Sequence, residues 1–191
     1  MRLFTGLDLP DGVVRNLEEL LRRLRPAARI QWSPPANLHV TTKFIGEWPE
    51  ERLAELIAGL SGLPGRVPIA VGIRRLGFFP NPHAPRIFWC GIEAPGLSEL
   101  AADTDGATAA MGIEREKRAY SPHLTLARIK QGQLSGTREQ IDLQPLRKAI
   151  AGLESLEFGG FEARSFFLYQ SSLWATGSVY TKLSEFPLRV S

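Results

Sequence analysis

Apolar and polar residues follow two periods along this chain, and the switches between them divide it into elements. Residues 2–7 form an apolar β-type run, closed by Pro10-Asp11-Gly12. Val14, Leu17, Leu21 and Leu24 then recur at helical spacing, with Asp11 as the expected N-cap and Pro26 as the stop. Residues 37–45 read as a strand whose even positions (Leu38, Val40, Thr42, Phe44) form one face and whose odd positions (His39, Thr41, Lys43) form the other. Pro49-Glu50-Glu51 opens a second helix, striped by Leu53, Leu56, Ile57 and Leu60. Strands are expected at 67–79 and 86–93, joined by a Pro-rich turn, and a third helix at 97–111. Residues 121–128 read as another strand, with His123 and Thr125 on one face and Leu124 and Leu126 on the other. The stretch from Lys130 to Gln144 reads as a loop, 145–153 as a short helix, and 155–170 and 179–183 as strands. No linker divides residues 1–191, so a single domain is expected.

Composition narrows this little. The chain has 191 residues, 43% of them hydrophobic and 23% charged, which suits a globular domain and excludes collagen-like, disordered and coiled-coil classes. No apolar run approaches the roughly 20 residues that span a bilayer, so no membrane partner is expected. The opening residues lack the apolar stretch of a secretory signal. A single cysteine, Cys90, precludes an internal disulfide and makes a reducing cytoplasm the expected compartment. The formal charge of +3 is compatible with a polyanionic substrate without demonstrating one. Arginine supplies most of the cations; it suits forked contact with phosphate, though genome composition also produces that bias.

Only three histidines occur, and two share a local pattern. His39-Val40-Thr41 returns 84 residues later as His123-Leu124-Thr125, each on an expected strand. With nine threonines in the chain, two such matches arise by accident in roughly 1% of comparable sequences. A histidine and a threonine two apart on a strand lie side by side, about 6–7 Å apart at the backbone. Histidine exchanges a proton near neutral pH, and threonine donates to an anionic oxygen. Two such pairs across a cleft can flank a phosphorus atom. One imidazole then takes a proton from the attacking oxygen and the other gives one to the leaving oxygen. Spacing alone leaves open which does which. No zinc-type spacing and no dense acidic set accompanies them, so neither metal nor cofactor is expected. His83 sits in a Pro-rich turn without a matching threonine and reads as a surface residue.

The tetrads His39-Val40-Thr41-Thr42 and His123-Leu124-Thr125-Leu126 resemble the paired HxTx motifs of the 2H phosphoesterases. The closer resemblance is to the RNA 2′,3′-cyclic phosphodiesterases, also called 2′-5′ RNA ligases. It runs through Arg2–Pro10, Asn37–Glu47, Phe79-Pro80, Pro85–Trp89, Pro122–Arg128 and Leu168–Ser171, with Gly177 and Tyr180. It implies an α+β fold in one bilobal domain over residues 1–191, with two pseudo-symmetric lobes of antiparallel strands lining a central cleft and helices outside. It further implies a hydrolase of RNA processing that opens a terminal 2′,3′-cyclic phosphate to a 2′-phosphate, with reversible 2′-5′ joining when a 5′-hydroxyl attacks. His39 would be the proton donor, His123 the acceptor, and Thr41 and Thr125 the phosphate holders. The expected partner is an RNA end, with the chain acting as a monomer. An RNA-end binding module without turnover, or an enzyme of small cyclic nucleotides, are the competing readings.

Two expectations rest on strand parity. Thr42 should face the core. Arg128, a candidate phosphate contact, should fall opposite the histidines unless a strand end or bulge turns it toward the cleft. Phe44, Trp32, Phe78, Phe79 and Tyr120 are candidate base-stacking residues, each with a competing core role, and Arg74-Arg75 a candidate backbone contact with a competing solvated one.

Overall fold

A computed structural model describes residues 1–130, 132–134, 137–139, 141–174 and 177–189. Among the described residues, two large antiparallel sheets, a two-stranded hairpin and four α-helices make up the fold, as the α+β reading required. The first sheet is ordered β11 (Gly177–Pro187), β10 (Ser165–Trp174), β1 (Arg2–Leu7), β3 (Val40–Glu47). The second is ordered β2 (Gln31–Trp32), β6 (His123–Arg128), β5 (Ile87–Glu93), β4 (Ile69–Phe79), β9 (Glu157–Ala163).

Helices α1 (Asp11–Leu24), α2 (Leu53–Ser61), α3 (Leu97–Ala110) and α4 (Gln144–Ala151) cover the sheets in pairs. α1 packs on β9 and α4, while α2 and α3 pack together and on β11 and β3. One helix of each pair crosses over: α1 follows a strand of the first sheet yet covers the second, and α3 follows the second yet covers the first. The core between helices and sheets is aliphatic, with Leu17, Leu21, Leu56, Leu60, Leu100, Leu124 and Leu168 all at most 1% exposed.

Three sequence expectations are corrected. Asp11 is the first residue of α1, and Pro10 holds the N-cap position. Its extended backbone aims its carbonyl at the Val13 and Val14 N–H groups. The segment from Lys130 to Gln144 is not all loop: it contains a hairpin, β7 (Gly132–Leu134) with β8 (Thr137–Glu139), while residues 131, 135, 136 and 140 lie outside the described ones. The strand expected at 155–170 is two strands meeting at Arg164.

The face opposite the helices is aromatic. Phe4, Tyr169, Phe79 and Trp89 belong to neither the buried core cluster nor the half-buried residues packed on it. Strand pairing puts Phe4 beside Tyr169 and Phe44 on the first sheet, and Trp89 between Gly77 and Thr125 on the second. These two surfaces face the space between the sheets.

Candidate active site

Both threonine-linked histidines stand on that inner surface, one per sheet. His39 immediately precedes β3, an edge strand of the first sheet, and His123 opens β6. β3 and β6 touch. The chain entering β3 is fastened to β6: Gln31 and Trp32 pair with Arg128 and Ala127, Ser33 N–H donates to the Leu126 carbonyl at 2.8 Å, and Ser33 Oγ donates to the Thr125 carbonyl at 2.7 Å. Tyr120, just ahead of His123, donates its hydroxyl to the Thr41 carbonyl at 2.8 Å. Each histidine segment is thus anchored to the other's strand.

The two imidazoles have matching surroundings. His39 Nδ1 lies 2.7 Å from the Asn37 carbonyl and His123 Nδ1 lies 2.8 Å from the Ser121 carbonyl, in both cases two residues back. A carbonyl accepts only, so Nδ1 carries the proton and Nε2 of the neutral ring is left with its lone pair. Each ring also meets an aromatic edge-on at 5.1 Å: Tyr180 beside His39 and Phe79 beside His123. Both rings are half-buried, as are Thr41 and Thr125.

Burial pushes both imidazoles below their ordinary pKa, and the Arg128 guanidinium pushes each the same way. One cation therefore acts on both rings, and His123 also depresses His39. Arg128 reaches this position through a bulge. Between Phe88 and Trp89 the β5–β6 register skips Leu126, so both Leu126 and Ala127 are buried and Arg128 returns to the face of His123 and Thr125. The bulge that strict alternation required is present.

A second bulge lies on β3, where Gly6 pairs with Thr41 but Thr5 pairs with Lys43. Thr42 faces the core as expected, its hydroxyl 2.7 Å from Thr5 Oγ1. Beyond it the faces exchange, which corrects the alternation read from the sequence. Lys43 is 3% exposed, bonded to Asp105 at 2.7 Å and to the Glu114 carbonyl at 2.8 Å, whereas Phe44 is 57% exposed on the inner surface.

Asp8 breaks the symmetry. Its carboxylate is held by Lys182, with the Tyr169 hydroxyl 3.5 Å away, and among the charges acting on the two rings it alone is negative and acts on His39 alone. Sequence reasoning gave no site role to Asp8, Lys182, Phe4, Tyr169 or Tyr180. Parity along the first strand, which sets Phe4 and Asp8 with Gly6, the partner of Thr41, was the one signal; Lys182, Tyr169 and Tyr180 gave none.

The remaining sequence candidates are placed as follows. Trp32 donates its indole N–H to the Ala28 carbonyl and packs, with Phe78 and Tyr120, against the core. Phe79 and Phe44 are on the inner surface. Arg74 and Arg75 are ion-paired with Glu93, so their charge is locally spent. His83 is exposed in its turn. Cavities of about 370 and 330 Å³ lie elsewhere, near Arg66 and near Arg147, and neither histidine lines them. Among the described residues no three His, Cys, Asp or Glu side chains gather as a metal-binding group, and no helix is long and apolar enough to cross a membrane.

Comparison with known proteins gives one family. A family model described as LigT-like phosphoesterase matches residues 7–89 and 92–180. The RNA 2′,3′-cyclic phosphodiesterase of Archaeoglobus fulgidus is 33% identical over 97% of this chain and 99% of its own. That of Methanocaldococcus jannaschii is 31% identical over the same shares. A crystal structure from Thermus thermophilus superimposes with a TM-score of 0.79 at 31% identity, covering all of both chains.

Proposed function

The chain belongs to the LigT-like phosphoesterase family, and we propose that it opens the 2′,3′-cyclic phosphate at an RNA end to a 2′-phosphate. The observation that carries this reading is the duplicated imidazole setting, one ring per sheet, with Arg128 acting on both. The names of the archaeal relatives support the substrate class.

In this reading the cyclic diester lies between the two rings. Thr41 and Thr125 donate to its non-bridging oxygens, and Arg128 offsets the charge that grows there in the transition state. His123 Nε2 takes the proton of an attacking water as the water oxygen bonds to phosphorus. The bond from phosphorus to the 3′-oxygen breaks, and His39 Nε2 delivers a proton to that oxygen. Asp8 favours the cation on His39, which supports giving His39 the donor role. Burial works against that proton in the free chain, and an anionic phosphate beside the ring restores it. A 5′-hydroxyl in place of water leads by the same bond changes to a 2′-5′ linkage.

His39→Ala and His123→Ala test the assignment against a 2′,3′-cyclic-phosphate oligonucleotide in EDTA. Each should lose about 10²–10⁴-fold in turnover with an unchanged circular dichroism spectrum. Wild-type turnover in either variant overturns the roles. Tight binding of the oligonucleotide without turnover by the wild-type chain marks a binding module instead, and loss of activity in EDTA refutes reliance on side chains alone. Faster turnover of mononucleotides than of oligonucleotides reassigns the substrate.

A further inference from the structure

The inner surface of the second sheet carries an aromatic floor to which the hydrolytic reading gives no direct contact with the reacting atoms. Trp89 lies on β5 between two glycines: Gly77, its partner on β4, and Gly91, two residues on. A Cβ atom at Gly77 would fall 2.2 Å from the indole ring and one at Gly91 3.3 Å from it. The indole therefore lies down along the sheet, over space that only glycines leave, with one face against the backbone. It leans across β4, away from Thr125 on its other side. Phe79 adjoins it at 5.1 Å between ring centroids and continues to His123, which it meets edge-on at 5.1 Å. Both rings stand outside the apolar core and are half-buried.

Two features set this floor apart from ordinary packing. The indole Nε1 is buried without a hydrogen-bond partner among the described residues, a cost to the fold that an aliphatic residue at 89 would avoid. The corresponding surface around His39 is already closed by aromatic contact, with Phe4 stacked on Tyr169 and Tyr180 edge-on to Phe4. The floor beside His123 has no such cover among the described residues.

We propose that Phe79 and Trp89 form a nucleobase subsite for the first nucleoside of a second strand, the one whose 5′-hydroxyl replaces water. This rests on the reading given under Proposed function, in which the attacking oxygen enters on the side of His123. The 5′-oxygen bonds to phosphorus, its proton passes to His123 Nε2, the bond to the 3′-oxygen breaks, and His39 protonates that oxygen. The product is a 2′-5′ diester with a free 3′-hydroxyl, and no other reactant is needed. An attacking nucleoside must lie on the His123 side of the phosphorus, where the flat apolar surface is. Stacking reads no base identity, so the subsite accepts any of the four.

The test is a joining assay run as a cycle. One strand ends in a 2′,3′-cyclic phosphate, and the acceptor has either a normal or an abasic 5′-terminal residue. For the wild-type chain the abasic acceptor should join about tenfold more slowly, the scale of one base–aromatic stack. In Trp89→Leu that penalty should vanish and the ratio of joining to hydrolysis should fall about tenfold. An equal abasic penalty in both proteins overturns the subsite, because the base then rests elsewhere. Equal loss of hydrolysis and joining in Trp89→Leu also overturns it, since the indole then serves the fold or the terminal nucleoside. Normal hydrolysis with no joining by the wild-type chain defeats the subsite and leaves the hydrolytic reading standing. Absence of hydrolysis from the wild-type chain defeats the reading beneath it.

Discussion

Gly6 offers the sharpest quantitative test of how the first sheet holds His39. A Cβ atom added there would lie 2.6 Å from the Val40 carbonyl oxygen, 3.3 Å from its carbon and 3.4 Å from Thr41 Cα. Real Cβ contacts are essentially never under 3.0 Å, so Gly6→Ala must open at least about 0.4 Å between β1 and β3. β1 is fastened on its other side, where Gly6 pairs with Phe167, so β3 and the His39–Thr41 segment take up the shift. Misplacing reacting groups by 1 Å costs about 10²-fold, and scaling its logarithm to 0.4 Å gives roughly sixfold in kcat/KM. Overpacking of this kind costs about 1–3 kcal/mol. For a chain of this size that lowers Tm by roughly 2–12 °C. Hydrolysis of a 2′,3′-cyclic nucleotide and a thermal melt measure the two effects. Gly106→Ala is the control: its Cβ meets nothing within 4 Å inside α3, and it should stabilise by about 0.5–1 kcal/mol. Gly6→Ala with wild-type Tm and kcat/KM would show that β1 and β3 are not closely apposed.

Other consequences can be measured directly. Because burial lowers both imidazoles, the singly protonated pair peaks on the acid side of pH 6.5, and so should kcat/KM of the free enzyme. A maximum above pH 7.5 contradicts this. Arg128→Gln removes a cation from both rings and should move both limbs of the profile upward. Stability follows the same sign: the unfolded rings take up protons that the folded ones resist, so stability is full above about pH 6.5 and falls as pH drops through the folded values. His123→Gln should flatten that decline in urea titrations. Asp105→Asn leaves Lys43, 2% exposed along its side chain, without its nearest counter-charge, and should cost about 3 kcal/mol by urea denaturation. Cys90 is fully buried, and burial pushes its thiol up to about 12, so a thiol reagent should label it only on unfolding.

Local periodicity reads the elements well because most strands bury one face. It places His123 and Thr125 together and Leu124 and Leu126 behind them, which the structure bears out. It fails where pairing overrides it. The bulges at Thr42 and Leu126 depend on how β3 meets β1 and β6 meets β5, contacts between residues far apart in the chain. For that reason periodicity puts Phe44 on the wrong face and brings Arg128 to the cleft only conditionally. The aromatic surroundings are illegible for a related reason. Tyr180 and His39 lie 141 residues apart, and Phe4 reads as core on its own strand. The hairpin at β7 and β8 carries too few apolar residues for a period to register.

The order of the first sheet also bears on how the protein is made. β1 lies between β3, translated early, and β10, translated late. On the ribosome, the nascent chain therefore carries β1 with one unpaired edge until residues 165–174 emerge. Such an edge invites pairing with other chains, and closing it brings together segments at high contact order. Tyr180 arrives later still, so a stalled or prematurely terminated product holds His39 on a half-built wall.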